Sequence, residues 1–334
     1  MVDFGIVVTI IRMSLVRTTG NIMHRVAFRR YSKKQGVSVL CVLALIWFLV
    51  GGEKSANVKP TISRYMSFLD KSDYYEQSLR LGCDAGKVGA GGIVVLAYGK
   101  QVGGGTRAFG AASEYYDYNH LMRVTLAYSE GLRTCSRGNL SWTIVVTTSN
   151  YKFTKHTPGD LWGKEWASMI NSLSKHNSDN IKYYGGTDIE PSWGERSSTL
   201  SWLKGYREIS RSPLWSNASA DGCPVNGYGP CANGWNVKSL GDAVWADNGV
   251  AVPQIYRIDG VQGAQWGNIA KVYHESGKIP LFGAVMTQSR ACFKASNRNC
   301  PTLSNSPQDA LRQINRHISK LNVSVLEATD IGWE

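Results

Sequence analysis

The chain has 334 residues, 43% of them hydrophobic, and a formal net charge of +12, enough for an α/β barrel of about 250 residues with a sizeable core. Seven Lys/Arg and one Asp in residues 1–52 account for half of that charge. The remainder is diffusely basic, which suits anionic polymers or headgroups; without a Lys/Arg block interleaved with aromatics it excludes a nucleic-acid partner.

In chain order, the basic stretch "MHRVAFRRYSKKQG" precedes an apolar run from Val37 to Val50. That run is short for a spanning helix, which needs about 20 residues, and right for the apolar part of an export signal. Residues 1–56 are therefore expected to be a signal peptide or an uncleaved signal anchor. Ser55 and Ala56 suit a nearby cleavage point, and Met23 is an alternative start. The protein is expected to be secreted or extracytoplasmic, touching a membrane only through an uncleaved anchor. Residues 57–91 read as a helical lead-in segment.

From Gly92 onward short β-rich runs alternate with stretches of helical period. Strands are expected at 92–99, 141–150, 181–190, 213–220, 242–247, 253–258, 278–288 and 323–333. Helices fit 115–135, 159–176 (with Asp160 as N-cap), 197–210, 261–276 and 306–321. Strands separated by helices imply parallel pairing with right-handed crossovers, and eight of them close into a (β/α)8 TIM-like barrel over 92–334. An open doubly wound sheet gives the same local pattern. The glycine-rich segment 221–242 stands where a helix would and is expected to wall one end of the barrel.

Of the seven cysteines, Cys41 lies in the apolar run. The other six, in an exported chain, read as disulfides: Cys223 with Cys231 and Cys292 with Cys300, each pair eight apart in loop-like sequence, which leaves Cys83 with Cys135. No CxxC or HExxH spacing supports zinc. "GGGTRAFG" lacks the spacing of a phosphate loop, and no G-x-S-x-G elbow occurs, so no cofactor is expected. His120 and His156 read as ordinary helix or surface residues.

Barrel enzymes carry their chemistry at the C-terminal ends of the strands. Those ends here are Tyr98, Thr148 and Asn150, Asp188 and Glu190, Asn217 and Asp221, Asp247, Tyr256, Gln288 and Asp330. In "YYGGTDIEPSW", Asp188 and Glu190 are two apart and share a strand face. Ionising one of two close carboxylates disfavours ionising the other, so one stays protonated and can act as an acid. Glycosidic cleavage needs such a pair. The competing reading is that both acids cap the helix that follows. Trp193, Trp215, Trp235, Trp245 and Trp266 offer ring faces for sugars. Tyr98, Trp193, Trp215, Asp221, Trp235, Tyr256 and Gln288 form the expected substrate-binding set, and Gln254 and Gln265 are further possible donors.

The blocks "GGTDIEPSW", "ASADGCP", "CANGW", "PQIY" and "GAVMTQ" resemble a group of secreted bacterial proteins of unassigned activity that share a glycoside-hydrolase-like barrel. Asp188-Ile189-Glu190 is also distantly similar to the D-x-E at a strand end in family 25 lysozymes and chitinase-like barrels. That match implies Glu190 as the acid and Asp188 as its partner. The lysozymes also place an Asp on their first strand, which "VVLAYGKQ" lacks, and Asp330 becomes the best third carboxylate. The expected function is a secreted glycoside hydrolase-like protein acting on a cell-wall or extracellular polysaccharide by carboxylate general acid catalysis. The alternative is a catalytically inactive barrel that binds glycans or the envelope.

Overall fold

The computed structural model describes residues 8–18, 21–31, 59–66, 73–108, 114–210, 212–294 and 300–332. The chain divides into Met1–Ser55 and Ala56–Glu334. In the first unit β1 (Val8–Thr18) and β2 (Asn21–Tyr31) pair antiparallel, with Val8 opposite Tyr31. The expected signal run at 37–50 lies outside the described residues. No helix among the described residues is long and apolar enough to cross a membrane.

The second unit is a (β/α)8 barrel. Its strands in chain order are β3 (Thr61–Tyr65), β4 (Gly92–Val102), the hairpin β5 (Gly105–Arg107) and β6 (Tyr115–Asp117), β7 (Trp142–Ser149), β8 (Ile181–Asp188), β9 (Trp215–Ser216), β10 (Val250–Ala251), β11 (Val285–Thr287) and β12 (Ala328–Gly332). Leaving the hairpin aside, each strand lies beside the next in sequence, all parallel, and β12 returns to β3. The bridges Ala251↔Phe282 and Gln254↔Met286 join β10 to the β11 segment and close the ring.

Two expected elements are corrected. The lead-in contains the first barrel strand, β3. Its inward residues Thr61 and Ser63 are polar, so the run lacks the apolar look of a buried strand; Ser63 Oγ instead accepts Val95 N–H at 2.7 Å and meets Thr329 Oγ1 at 2.5 Å. The strand expected at 242–247 belongs to a helix, Val237–Trp245, which buries Val237, Leu240, Gly241 and Val244 at helical spacing. It starts at a reciprocal cap between Asn236 and Ser239. The strand follows at Val250–Ala251, ahead of the expected 253–258; the barrel has eight strands among the described residues, with β3 in the place of the expected 242–247.

Ile93, Val95, Val145, Val252, Met286 and Ile331 fill the barrel interior. A larger core lies between the strands and the helix layer. Helices α1 (Tyr74–Val88) and α2 (Tyr118–Cys135) pack together and are stapled by Cys83–Cys135; Cys223–Cys231 and Cys292–Cys300 are also bonded, as the spacing suggested. The contact between α1 and α2 depends on Gly131, where a Cβ would sit 2.0 Å from Leu79 O and 2.6 Å from Cys83 N. Because backbone cannot yield there, Gly131→Ala is expected to cost about 1–3 kcal/mol through overpacking, read as a lower denaturant midpoint of the oxidised protein. An unchanged midpoint would mean that the helices part without penalty.

Candidate active site

Strand β8 delivers the acid pair to the barrel mouth. Residues 182, 184, 186 and 188 alternate with Ile181 and Tyr183, which pack outward into the helix layer. Gly186 lies on the inward face below Asp188, where a Cβ would come within 2.4 Å of Thr147 Cγ2 and 2.7 Å of Val145 Cγ1. The interior is thus full to that level, and the next inward residue is the first acid.

Beyond Asp188 the chain is fixed from both sides. Asn150 Oδ1 accepts Glu190 N–H at 3.1 Å, and Asn150 Nδ2 donates to Glu190 O at 3.2 Å, so one side-chain amide imitates a neighbouring strand. Ser219 N–H donates to Ile189 O at 3.1 Å from the opposite side. The extended path therefore continues, and Glu190 keeps the face of Asp188.

The two carboxylates meet at Gln254. Its Nε2 donates to Asp188 Oδ1 at 2.9 Å and to Glu190 Oε1 at 3.1 Å, and lies 2.9 Å from Asn217 O. Asp188 is 1% exposed, whereas Glu190 is half-buried. Among the described residues, Asp188 Oδ2, Asn217 Oδ1 and Ser219 Oγ are buried without a hydrogen-bond partner. Asp221 accepts from Ser192 Oγ beside them.

Burial is the main force holding the Asp188 carboxyl well above the usual carboxylate range, with the charge of Asp221 adding to it and Gln254 opposing. Burial, then Asp188, then Asp221 raise Glu190 in the same way. The hydroxyls of Tyr65 and Tyr256 hydrogen-bond to each other near both acids, and Tyr256 Oη donates to Met286 Sδ at 3.3 Å. Burial above all pushes these phenols far up, so they remain neutral donors. This arrangement can hold a proton at neutral pH and present it from Glu190, the more exposed member.

Of the residues expected here, Asp188, Glu190, Asp221 and Tyr256 are brought together. Trp193 stands half-buried on the rim, 5.4 Å from the Tyr151 ring, and Gln288 follows β11 on the inward parity of Met286. Others lie elsewhere. Tyr98 faces outward, its hydroxyl 2.7 Å from Thr125 Oγ1 of α2. Asp330 also faces outward and accepts from Thr287 Oγ1, Ser289 Oγ and Arg290 N–H at 2.9, 2.7 and 3.0 Å, anchoring the start of the helix Ser289–Lys294. Trp215 plugs the opposite, N-terminal end, against Gly283 and Tyr184. Trp235 is 1% exposed behind the Glu190 turn and donates to Gly194 O at 3.2 Å. Asp247 pairs with Arg207 at 3.2 Å. Tyr65, placed in the lead-in, was not foreseen; the alternation of "TISRYM" was its only signal.

No protein-family model and no curated protein matches the chain. Among solved structures it is similar to a GH26 beta-mannanase from Bacteroides ovatus, at 11% identity over 84% of this chain and 82% of that one, with a TM-score of 0.39. The barrel assignment rests on strand order and register, to which a likeness at that score adds nothing.

The raised carboxyls make stability depend on pH. Unfolded, Asp188 releases its proton near pH 4; folded, it keeps it to higher pH. Its stabilising contribution is therefore complete below about pH 4 and is lost as pH rises through the raised folded value. Asp188→Asn keeps an oxygen for Gln254 and removes the titration. The variant's melting temperature is expected to gain on the parent's between pH 4 and 8; a constant gap would show that Asp188 is not raised.

Proposed function

We propose that the protein is a secreted glycoside hydrolase acting on a cell-wall or extracellular polysaccharide, with Glu190 as general acid. The observation that carries this reading is the single Gln254 amide holding one buried and one half-buried carboxylate at the C-terminal mouth of a closed barrel, with Glu190 the one that reaches solvent. Glu190 gives its proton to the glycosidic oxygen as the bond from the anomeric carbon to the leaving group breaks; a water adds to that carbon and releases a proton, which restores the acid. Burial above all, and the charge of Asp221, keep that proton in place beforehand, because an anion at Glu190 would stand in a water-poor site beside another anion. Neutral Tyr65 and Tyr256 line the same mouth. Half-buried Trp193 offers a ring edge for the glycan. Three disulfides fit an oxidising compartment.

A second reading is a glycan-binding barrel without chemistry. It is favoured by the sealing of Asp188 and by the outward turn of Asp330, which leave Asp221 as the third acid at the mouth. Turnover by Glu190→Gln separates the two. On a glycan that the parent cleaves, loss of the general acid is expected to lower kcat about 100- to 10,000-fold, with the melting temperature little changed. Equal turnover by parent and variant would remove Glu190 from the chemistry, and binding without cleavage across a glycan panel would favour the second reading.

A further inference from the structure

Strand β4 does not run regularly to its end. Ile93 to Ala97 pair one to one with Thr143 to Thr147, but the next pair is Lys100 with Ser149, so β4 carries one extra residue. Gly99 absorbs the bulge at φ 86°, where a Cβ would lie 2.4 Å from Arg107 O. Without the bulge Gly99 would share the inward face of Ile93 and Val95, and Lys100 would turn outward. With it, Lys100 stands beside Ser149, which in turn pairs with Asp188. Lys100 therefore faces the mouth, two strand spacings or roughly 10 Å from Asp188. Gln101 shows the opposite sense, accepting from Trp202 Nε1 and donating to Trp162 O under the helix layer.

Two more cations converge on this point. Arg107 pairs with Lys100 across the β4–β5 hairpin. Lys152 lies on the turn after β7; burial first, then its charge and that of Arg107, push the Lys100 ammonium below its ordinary value. Lys152 holds a left-handed backbone at φ 59°, unusual for a side-chain-bearing residue, and its N–H donates to Trp193 O at 3.0 Å. Its ammonium lies 5.1 Å from the Tyr151 ring, which meets Trp193 edge-on. A bulge, a left-handed turn and a hairpin thus bring like charges together beside an aromatic pair.

We propose that Lys100, Arg107 and Lys152 form a subsite for an anionic group of the glycan, so that the polymer taken at this mouth bears carboxylate or phosphodiester charge. The proposal rests on reading the Asp188–Glu190 mouth as a glycan site, and its test needs no turnover. Binding of the full chain would be measured by calorimetry with polygalacturonate, a phosphate-bearing mannan and a neutral galactan. The parent is expected to prefer at least one charged polymer to the galactan, with affinity falling as salt rises. The double variant Lys100→Gln, Lys152→Gln is expected to bind that polymer about tenfold more weakly while melting like the parent. A control double variant at the far end of the barrel, Lys182→Gln with Lys320→Gln, is expected to bind as the parent does.

Which charged polymer is preferred identifies the anion. No preference for charge, no loss in the Lys100 and Lys152 variant, or an equal loss in the control would overturn the proposal. A parent that cleaves a neutral glycan through Glu190 yet ignores charge would overturn the subsite alone and leave the catalytic reading standing.

Discussion

One amide nitrogen sets the character of this barrel. Gln254 Nε2 has two hydrogens and three acceptors within 3.1 Å: Asp188, Glu190 and the Asn217 carbonyl. It ties the segment after β10 to the ends of β8 and β9. Burial and neighbouring carboxylates raise both acids, and Gln254 opposes them. A carboxylate buried without a cation is costly, and the usual outcome is that it keeps its proton. The amide and the retained proton together make the pair tolerable, and they also make it chemically useful.

The surrounding structure keeps that balance from relaxing. Gly186 lets the interior close beneath Asp188, which denies the acid water from below. Asn150 and Ser219 hold the 188–190 backbone extended, so Glu190 cannot swing away to solvent as a helix cap would. The segment 221–236 is braced from outside: Cys223–Cys231 closes it, Gln265 donates to Cys223 O at 2.7 Å, and Asn233 donates to Pro191 O at 2.9 Å. It forms a wall beside the Glu190 turn and fixes Asp221 next to Ser192.

Much of this was legible because it follows from alternation. Two acids two residues apart at a strand end share a face, and cysteines eight apart in loops can reach each other; neither statement needs a distant part of the chain. What escaped depends on partners far away in sequence. β3 looked unlike a strand because its inward groups are polar and satisfied by Val95 and Thr329. Trp215 and Asp330 sit on real strands, but a short strand does not reveal which end or face a side chain occupies until its neighbours are known. Asp330 serves the start of a helix, the role that spacing alone allows equally to Glu190. Lys100 is the clearest case: simple counting turns it outward, and only the inserted residue against β7 brings it to the mouth.

The distance between the rim and the acids decides how far these two features influence each other. Two unit charges roughly 10 Å apart interact by about 0.4 kcal/mol at the dielectric of water and about 1.7 kcal/mol at an effective value of 20. That is about 0.3 to 1.2 pKa units, and salt screens it over a comparable length. Burial outranks every charge acting on Asp188, and the largest of those charges is Asp221 rather than a rim cation. The proton on the acid pair is therefore governed by the packed interior, while the rim cations act on what approaches. The acid pair and the rim cations rest on different strands, the cations on β4 and the turn after β7, the acids and their amide on β8 and after β10. Substitutions at the rim therefore leave the burial that governs the acid pair in place.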